Sequence, residues 1–229
     1  MRPQNIAFIS IAVVVTGVTS FLAFSPSRSG TWAFWALAVG PTVALAAVAS
    51  TWAAREDLLR DWLRPRWGDF TRGLGASALL FALAWAVTRL VCPIGSSREI
   101  WLVSLYGQIG DPRSLQAHAG AIGAVLVVAA LAEEVLWRGA VTQLLAERVG
   151  SRAAWVWAAG LYGLSYVPTM WALRSGSNID PVLVAAALGA GLVWGAMARH
   201  FGRLTPSILA HALFDWAVIM MFPLWGPPR

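Results

Sequence analysis

Hydrophobic positions in this chain fall in long runs, not in the alternation of a half-buried strand or the one-sided stripe of a soluble helix. Seven runs approach the roughly 20 apolar residues an α-helix needs to cross the hydrocarbon core of a bilayer. They cover approximately residues 5–24, 31–54, 74–91, 120–144, 153–171, 181–199 and 204–224. The pattern predicts an all-α, polytopic transmembrane helical bundle of about seven spans, folded as one domain over 1–229 because no repeat or low-complexity linker divides it. Between the second and third runs, residues 55–72 mix Arg and Asp with Trp62, Trp67 and Phe70. That mixture suits a helix lying at headgroup level, or equally a solvated loop. The connection 92–119 carries a short apolar stretch at 100–106 that predicts a small surface helix. Pro168 should end or bend the fifth helix, since it lacks the N–H for the helical ladder. The break either marks a helix end before the polar stretch 174–178 or opens a path for an extended peptide.

Composition agrees: 58% of residues are hydrophobic and 12% charged, against about 25% charged in soluble domains. The single cysteine, Cys92, forms no internal disulfide, and no CxxC or Cys/His cluster suggests a structural metal. The first run leads into Phe24-Ser25-Pro26-Ser27 without a small-x-small cleavage site, which predicts a retained first span. The 17 basic residues, all arginine, outnumber 11 acids, and in a membrane protein that excess sets topology rather than nucleic-acid binding. Placing 55–72 in the cytoplasm puts Arg55, Arg60, Arg64, Arg66 and Arg72 on one side with Arg2, Arg148, Arg152, Arg199 and Arg203. The other side then holds Arg28, Arg89, Arg98, Arg113, Arg174 and Arg229. A cytoplasmic N-terminus and an external C-terminus follow, provided that none of the seven runs is re-entrant. Glycines at 191 and 195, and at 160 and 163, suit close helix packing.

The costly residues lie in the fourth run, Leu131-Ala132-Glu133-Glu134-Val135-Leu136-Trp137-Arg138-Gly139. A charge near the bilayer centre costs about 2.5–3.5 kcal/mol on insertion scales. Glu134 and Arg138, four apart, can neutralise each other on one helix face, which leaves Glu133, about 100° around the helix, without a local partner. The last run adds His211 and Asp215, again four apart, and the fifth adds Tyr162 and Tyr166. A buried carboxylate can act as general base and an imidazole can donate to an oxyanion, so this set could hydrolyse a peptide bond through an activated water. It could equally satisfy itself as structural glue or form a proton path.

Glu133-Glu134-Val-Leu-Trp-Arg138 resembles the EExxxR motif of the CPBP intramembrane proteases, the CAAX-prenyl protease and bacteriocin-processing (Abi) family. His211-Ala-Leu-Phe-Asp215 is similar to that family's Hxxx(N/D) motif, in the same order. The resemblance covers about 119–224; the first three runs carry no matching motif. It implies a catalytic core over 119–224 in which Glu133 activates water, Glu134 with Arg138 supports it, and His211 with Asp215 holds the oxyanion. The family's middle motif is FxxxH, and here the matching segment is Tyr162-Gly-Leu-Ser-Tyr166, with Tyr166 where the family has histidine. A phenol with pKa about 10 can orient a water but cannot take its proton near neutrality, so Glu133 would act alone. His118 lies fifteen residues before Glu133, about 22 Å along a helix, and His200 sits at a span end, so neither replaces the missing histidine. With His211 and carboxylates alone, and no HExxH, the expected site is free of zinc and of any other cofactor.

The expected function is a glutamate-type intramembrane endopeptidase in peptide or protein maturation, with a membrane-embedded or membrane-proximal peptide and the lipid bilayer as partners. The opposing expectation is a catalytically impaired relative that binds a peptide or membrane protein without cutting it, favoured by Tyr166. A transporter or proton channel would spread acids through several spans, and the first three runs have none. The all-Arg, Ala- and Trp-rich composition points to a GC-rich bacterium and its inner membrane.

Overall fold

The computed structural model describes residues 3–176 and 178–226; Arg2, Ser177 and Arg229, which enter the sequence reading, lie outside them. Among the described residues the elements are helical, apart from an isolated bridge between Ser175 and Asn178. The chain runs through α1 (Pro3–Ala23), α2 (Trp32–Arg55), α3 (Leu59–Leu63), α4 (Asp69–Val91), α5 (Glu99–Ile109), α6 (Pro112–Ala117) and α7 (Ala119–Glu133). After α7 a π-helical stretch (Glu134–Val141) leads straight into α8 (Thr142–Val149). Then come α9 (Ser151–Ser165), α10 (Thr169–Ala172), α11 (Val182–Phe201), α12 (Thr205–Met220) and α13 (Phe222–Trp225).

Among the described residues, five helices are long and apolar enough to cross a membrane: α1, α2, α4, the 31-residue rod from Ala119 to Val149, and α11. The chain is an integral membrane protein. The other two apolar runs form shorter helices. The fifth is broken as Pro168 predicts: α9 closes at Ser165 after 15 residues, and α10 is a separate turn. The seventh forms the 16 residues of α12. Elsewhere the boundaries shift. The third span begins at Asp69 instead of residue 74, and the fourth continues to Val149. No single helix covers 55–72: α2 ends at Arg55, Leu59–Leu63 form a short helix of their own and α4 begins at Asp69, while Trp62 turns inward and is buried and Trp67 is fully exposed. The expected surface helix at 100–106 is α5, which buries Leu102, Leu105, Tyr106 and Ile109.

The rod sits at the middle, with α2 and α12 against α7 and with α9 against α8; α9 also packs on α11 and α1, and α4 on α12. Between lipid-exposed helices hydrophobicity gives no net drive, so close approach of small residues does the work. The fully buried alanines Ala12, Ala130, Ala140, Ala154 and Ala210 mark these contacts, while Val14, Val48, Leu79, Leu83 and Leu90 point outward, as a lipid-facing surface requires. All eight residues of the π-helical stretch are buried. Its Gly139 lies under the Trp62 ring, where a Cβ would come within 2.6 Å of a ring carbon. The inward turn of Trp62 therefore depends on glycine there.

One end of the bundle gathers the arginine-rich connections. Arg203 pairs with Asp69, the Leu204 N–H donates to the Trp62 carbonyl at 2.9 Å, and Arg199 donates to the Arg152 carbonyl at 2.8 Å. The opposite end is capped by α5, α6, α10 and α13, with a core of Phe24, Phe34, Tyr106, Phe222 and Trp225. There the Gly30 N–H donates to the Gln108 carbonyl and Arg89 to that of Trp225.

Candidate active site

Three elements carry the site: the junction of α7 with the π-helical stretch, the C-terminal part of α9, and the middle of α12. Adjacent residues on a helix point about 100° apart, so Glu133 and Glu134 face different neighbours. Glu134 is fully buried and forms the expected ion pair with Arg138, Oε1 to Nη1 at 3.2 Å. The same oxygen accepts from His211 Nδ1 at 3.0 Å. Glu133 faces α9 and α12. It accepts from the Tyr162 hydroxyl at Oε2 and from the Tyr166 hydroxyl at Oε1, the latter at 3.2 Å. Its Oε2 lies 3.9 Å from His211 Nε2, which also meets Asp215 Oδ2 at 3.3 Å.

All six residues singled out from the sequence, Glu133, Glu134, Arg138, Tyr166, His211 and Asp215, thus converge in one cluster. His118 and His200 stand apart from it on the exposed surface. The imidazole has a carboxylate at each nitrogen, so a doubly protonated ring would satisfy both acceptors. Fixed charge then amounts to three carboxylates against Arg138 and His211. Access is uneven: the side chains of Glu133 and Asp215 are 12% and 24% exposed, whereas those of Glu134, Arg138 and His211 are sealed. The Glu133, Nε2 and Asp215 edge is therefore the accessible face, and the Glu134 to Arg138 pair lies behind it.

Several neighbours escaped the sequence reading. Trp194 of α11 stacks on the His211 ring, centroids 3.6 Å apart and planes 15° from parallel, and fixes the imidazole plane. Arg138 lies over both Tyr162, at 4.5 Å, and Trp194, at 5.1 Å, and such cation–π contacts strengthen when desolvated. Tyr162, which the spacing placed on one face with Tyr166, is thus a direct partner of Glu133. Gly191 gives these groups room: a Cβ there would stand 3.1 Å from Arg138 Nη2 and 3.2 Å from the Tyr162 ring. Tyr162 and Tyr166 share a face by their spacing, and Trp194 adjoins Gly195 and follows Gly191 by three residues. Those spacings were the available signals, and neither names the partner helix.

Among the described residues, no group of three or more His, Cys, Asp or Glu side chains has the arrangement to hold a metal ion. No curated protein and no solved structure matches the chain. The family model described as Rce1-like, type II CAAX prenyl endopeptidase Rce1-like, matches residues 115–217. That interval contains every residue of the cluster and nearly coincides with the 119–224 of the motif resemblance. The part of this membrane protein that carries the site, residues 115–217, is therefore similar to the Rce1-like CAAX proteases.

Proposed function

We propose that the chain is a glutamate-type intramembrane endopeptidase that cuts a membrane-embedded or membrane-proximal peptide. The carrying observation is the face-to-face placement of Glu133 and His211 Nε2, 3.9 Å apart on the accessible edge of the cluster. A water on Glu133 gives its proton to the carboxylate and attacks the scissile carbonyl carbon. The developing oxyanion takes its hydrogen bond from His211 Nε2, in the manner of a preorganised oxyanion donor. The C–N bond then breaks, and the proton held by Glu133 passes to the leaving amine. Glu134, anchored by Arg138, holds Nδ1 and with Trp194 sets the imidazole plane; Asp215 balances the imidazolium. The groups around Glu133 are two phenols, one imidazole and a carboxylate, and the chemistry proposed is free of metal and cofactor.

A second reading has its own support. Both oxygens of Glu133 are engaged by phenols, so a water must displace one of them, and a chain of this design could bind a peptide without cutting it. For either reading the substrate side is a peptide in maturation, in the inner membrane of a bacterium, with the arginine-rich end and the N-terminus cytoplasmic under the positive-inside rule.

Terminal-peptide proteomics on a deletion strain complemented with wild type, Glu133→Ala or Tyr166→His decides between them. Cleavage with wild type that falls by about a thousandfold with Glu133→Ala, the scale of general-base loss, is the expected result. Cleavage seen only with Tyr166→His establishes the binding reading, and unchanged termini in every strain overturn proteolysis.

A further inference from the structure

At the arginine-rich end lies an open pocket of about 210 Å³ bordered by α8, α9, the C-terminal turn of α11 and the connection into α12. Its walls include Arg138, Gln143, Ser151, Trp155, Arg199 and Arg203, and no acidic residue lines it. The acids that balance two of the arginines lie elsewhere: Glu134 is on the site side of Arg138, and Asp69 pairs with Arg203. Arg199 has a hydrogen bond only to a backbone carbonyl. Arg138 contributes charge from the wall, its Nη groups being sealed against Glu134 and the rings of Tyr162 and Trp194. A cavity whose wall carries three arginines and no acid, with Arg199 free of any carboxylate, is a recognition element for a planar or tetrahedral oxyanion. The first turn of α9, starting at Ser151, adds N–H groups that an α-helix leaves unbonded at its start.

The position narrows the anion. The cavity sits where α2, α8 and α11 end and where α4, α9 and α12 begin, at one face of the bundle, with two tryptophans, Trp62 and Trp155, in its wall. Tryptophan is enriched at headgroup level, and basic pockets between helices at that depth take lipid phosphates. We propose that this cavity binds a phosphate monoanion or diester, contributed by an anionic lipid headgroup of the adjoining leaflet or by free phosphate. Arg138 lines this cavity and pairs with Glu134, so the cavity and the reactive cluster adjoin through one side chain.

Gln143, Ser151 and Arg199 are exposed enough to change without disturbing the core. Native mass spectrometry of the full chain in neutral detergent, offered phosphatidylglycerol, phosphatidylcholine or inorganic phosphate, tests the assignment. Wild type should retain phosphatidylglycerol over phosphatidylcholine, with retention falling by about tenfold in Arg199→Gln with Gln143→Ala, the size of one charge-assisted hydrogen bond. Arg148→Gln, on the same face but outside the cavity, should retain lipid as wild type does. Inorganic phosphate that binds and loses affinity in the same double variant, with no lipid preference, supports the pocket and assigns it to the free ion. Equal retention of both lipids and no phosphate binding, or retention insensitive to the double variant, overturns the proposal. So does protection by a peptide with a free C-terminal carboxylate, but not by its amide, in place of phosphate.

Discussion

Two buried carboxylate–arginine pairs stand in this molecule, and they are built differently. Asp69 and Arg203, at the arginine-rich end, are paired through two hydrogen bonds, Arg203 Nε to Oδ2 at 3.2 Å and Nη2 to Oδ1. Asp69 Oδ2 also accepts from the Arg66 N–H at 2.8 Å, and Arg203 Nη1 donates to the Phe201 carbonyl at 3.0 Å. Every polar atom of that pair has a partner. Glu134 and Arg138, deep in the bundle, meet through one oxygen that His211 also uses; Glu134 Oε2 and both Nη groups of Arg138 have no hydrogen-bond partner of good geometry. A saturated pair ties α4 to the start of α12. The unsaturated one is held by aromatic rings and shared with an imidazole, and it ties the π-helical stretch to α9, α11 and α12. Buried polar groups that go unsatisfied in a native fold call for such an explanation.

Removing one member of each pair sharpens the contrast. Glu134→Ala strands Arg138 in the interior and should cost about 3–5 kcal/mol, read as lost thermal stability in detergent. The molecules that stay folded should lose cleavage too, because His211 Nδ1 loses its anchor. Survival of full activity per folded molecule would break the assignment of Glu134 to the site.

Asp180, in the connection from α10 to α11, is a third case: a buried acid with no cation. Its Oδ1 accepts from the Val182 N–H at 2.9 Å, and Oδ2 has no partner. Burial pushes its carboxyl from 3.8 up to about 6. A folded-state value above the unfolded one favours the protonated form in the fold, so stability is full below about pH 4 and declines as pH rises to about 6. The loss amounts to at most about 3 kcal/mol. Asp180→Asn keeps the acceptor for Val182 and should flatten the pH dependence of thermal stability between pH 4 and 6. A variant with the wild-type slope would show that another group titrates there.

The smallest effect belongs to the saturated pair. Asp69→Asn should reduce stability by about 2 kcal/mol, the worth of a hydrogen bond to a charged group, with cleavage per folded molecule unchanged. A specific loss of cleavage would mean that this pair, too, serves the site.

What the sequence made legible follows from the range of each interaction. Helix class and membrane insertion are written in local hydropathy, and the pairing of Glu134 with Arg138 in a spacing of four. Pro168 announced the break in the fifth run without giving the lengths of the pieces. The union of Glu133 with Tyr162, the Trp194 stack on His211 and the pairing of Asp69 with Arg203 all cross between helices, so their one-dimensional signal is a residue type without an address. Trp62 shows the same limit. Its neighbours Arg60 and Arg64 suggest a headgroup anchor, and only Gly139, more than seventy residues later, allows it to turn inward.

The π-helical stretch, finally, is a matter of counting. Thr142 Oγ1 donates to the carbonyl of Trp137, five residues back, and the eight residues from Glu134 to Val141 are wound more widely than an α-helix. Deleting one residue inside it without a compensating change of winding would turn everything beyond by roughly 100° and shorten the rod by about 1.5 Å. Leu144 and Leu145 would then leave the face they bury against α9, although every side chain outside the deleted position stays chemically intact. Length at this point is as constrained as identity, and a substitution scan would never touch that constraint.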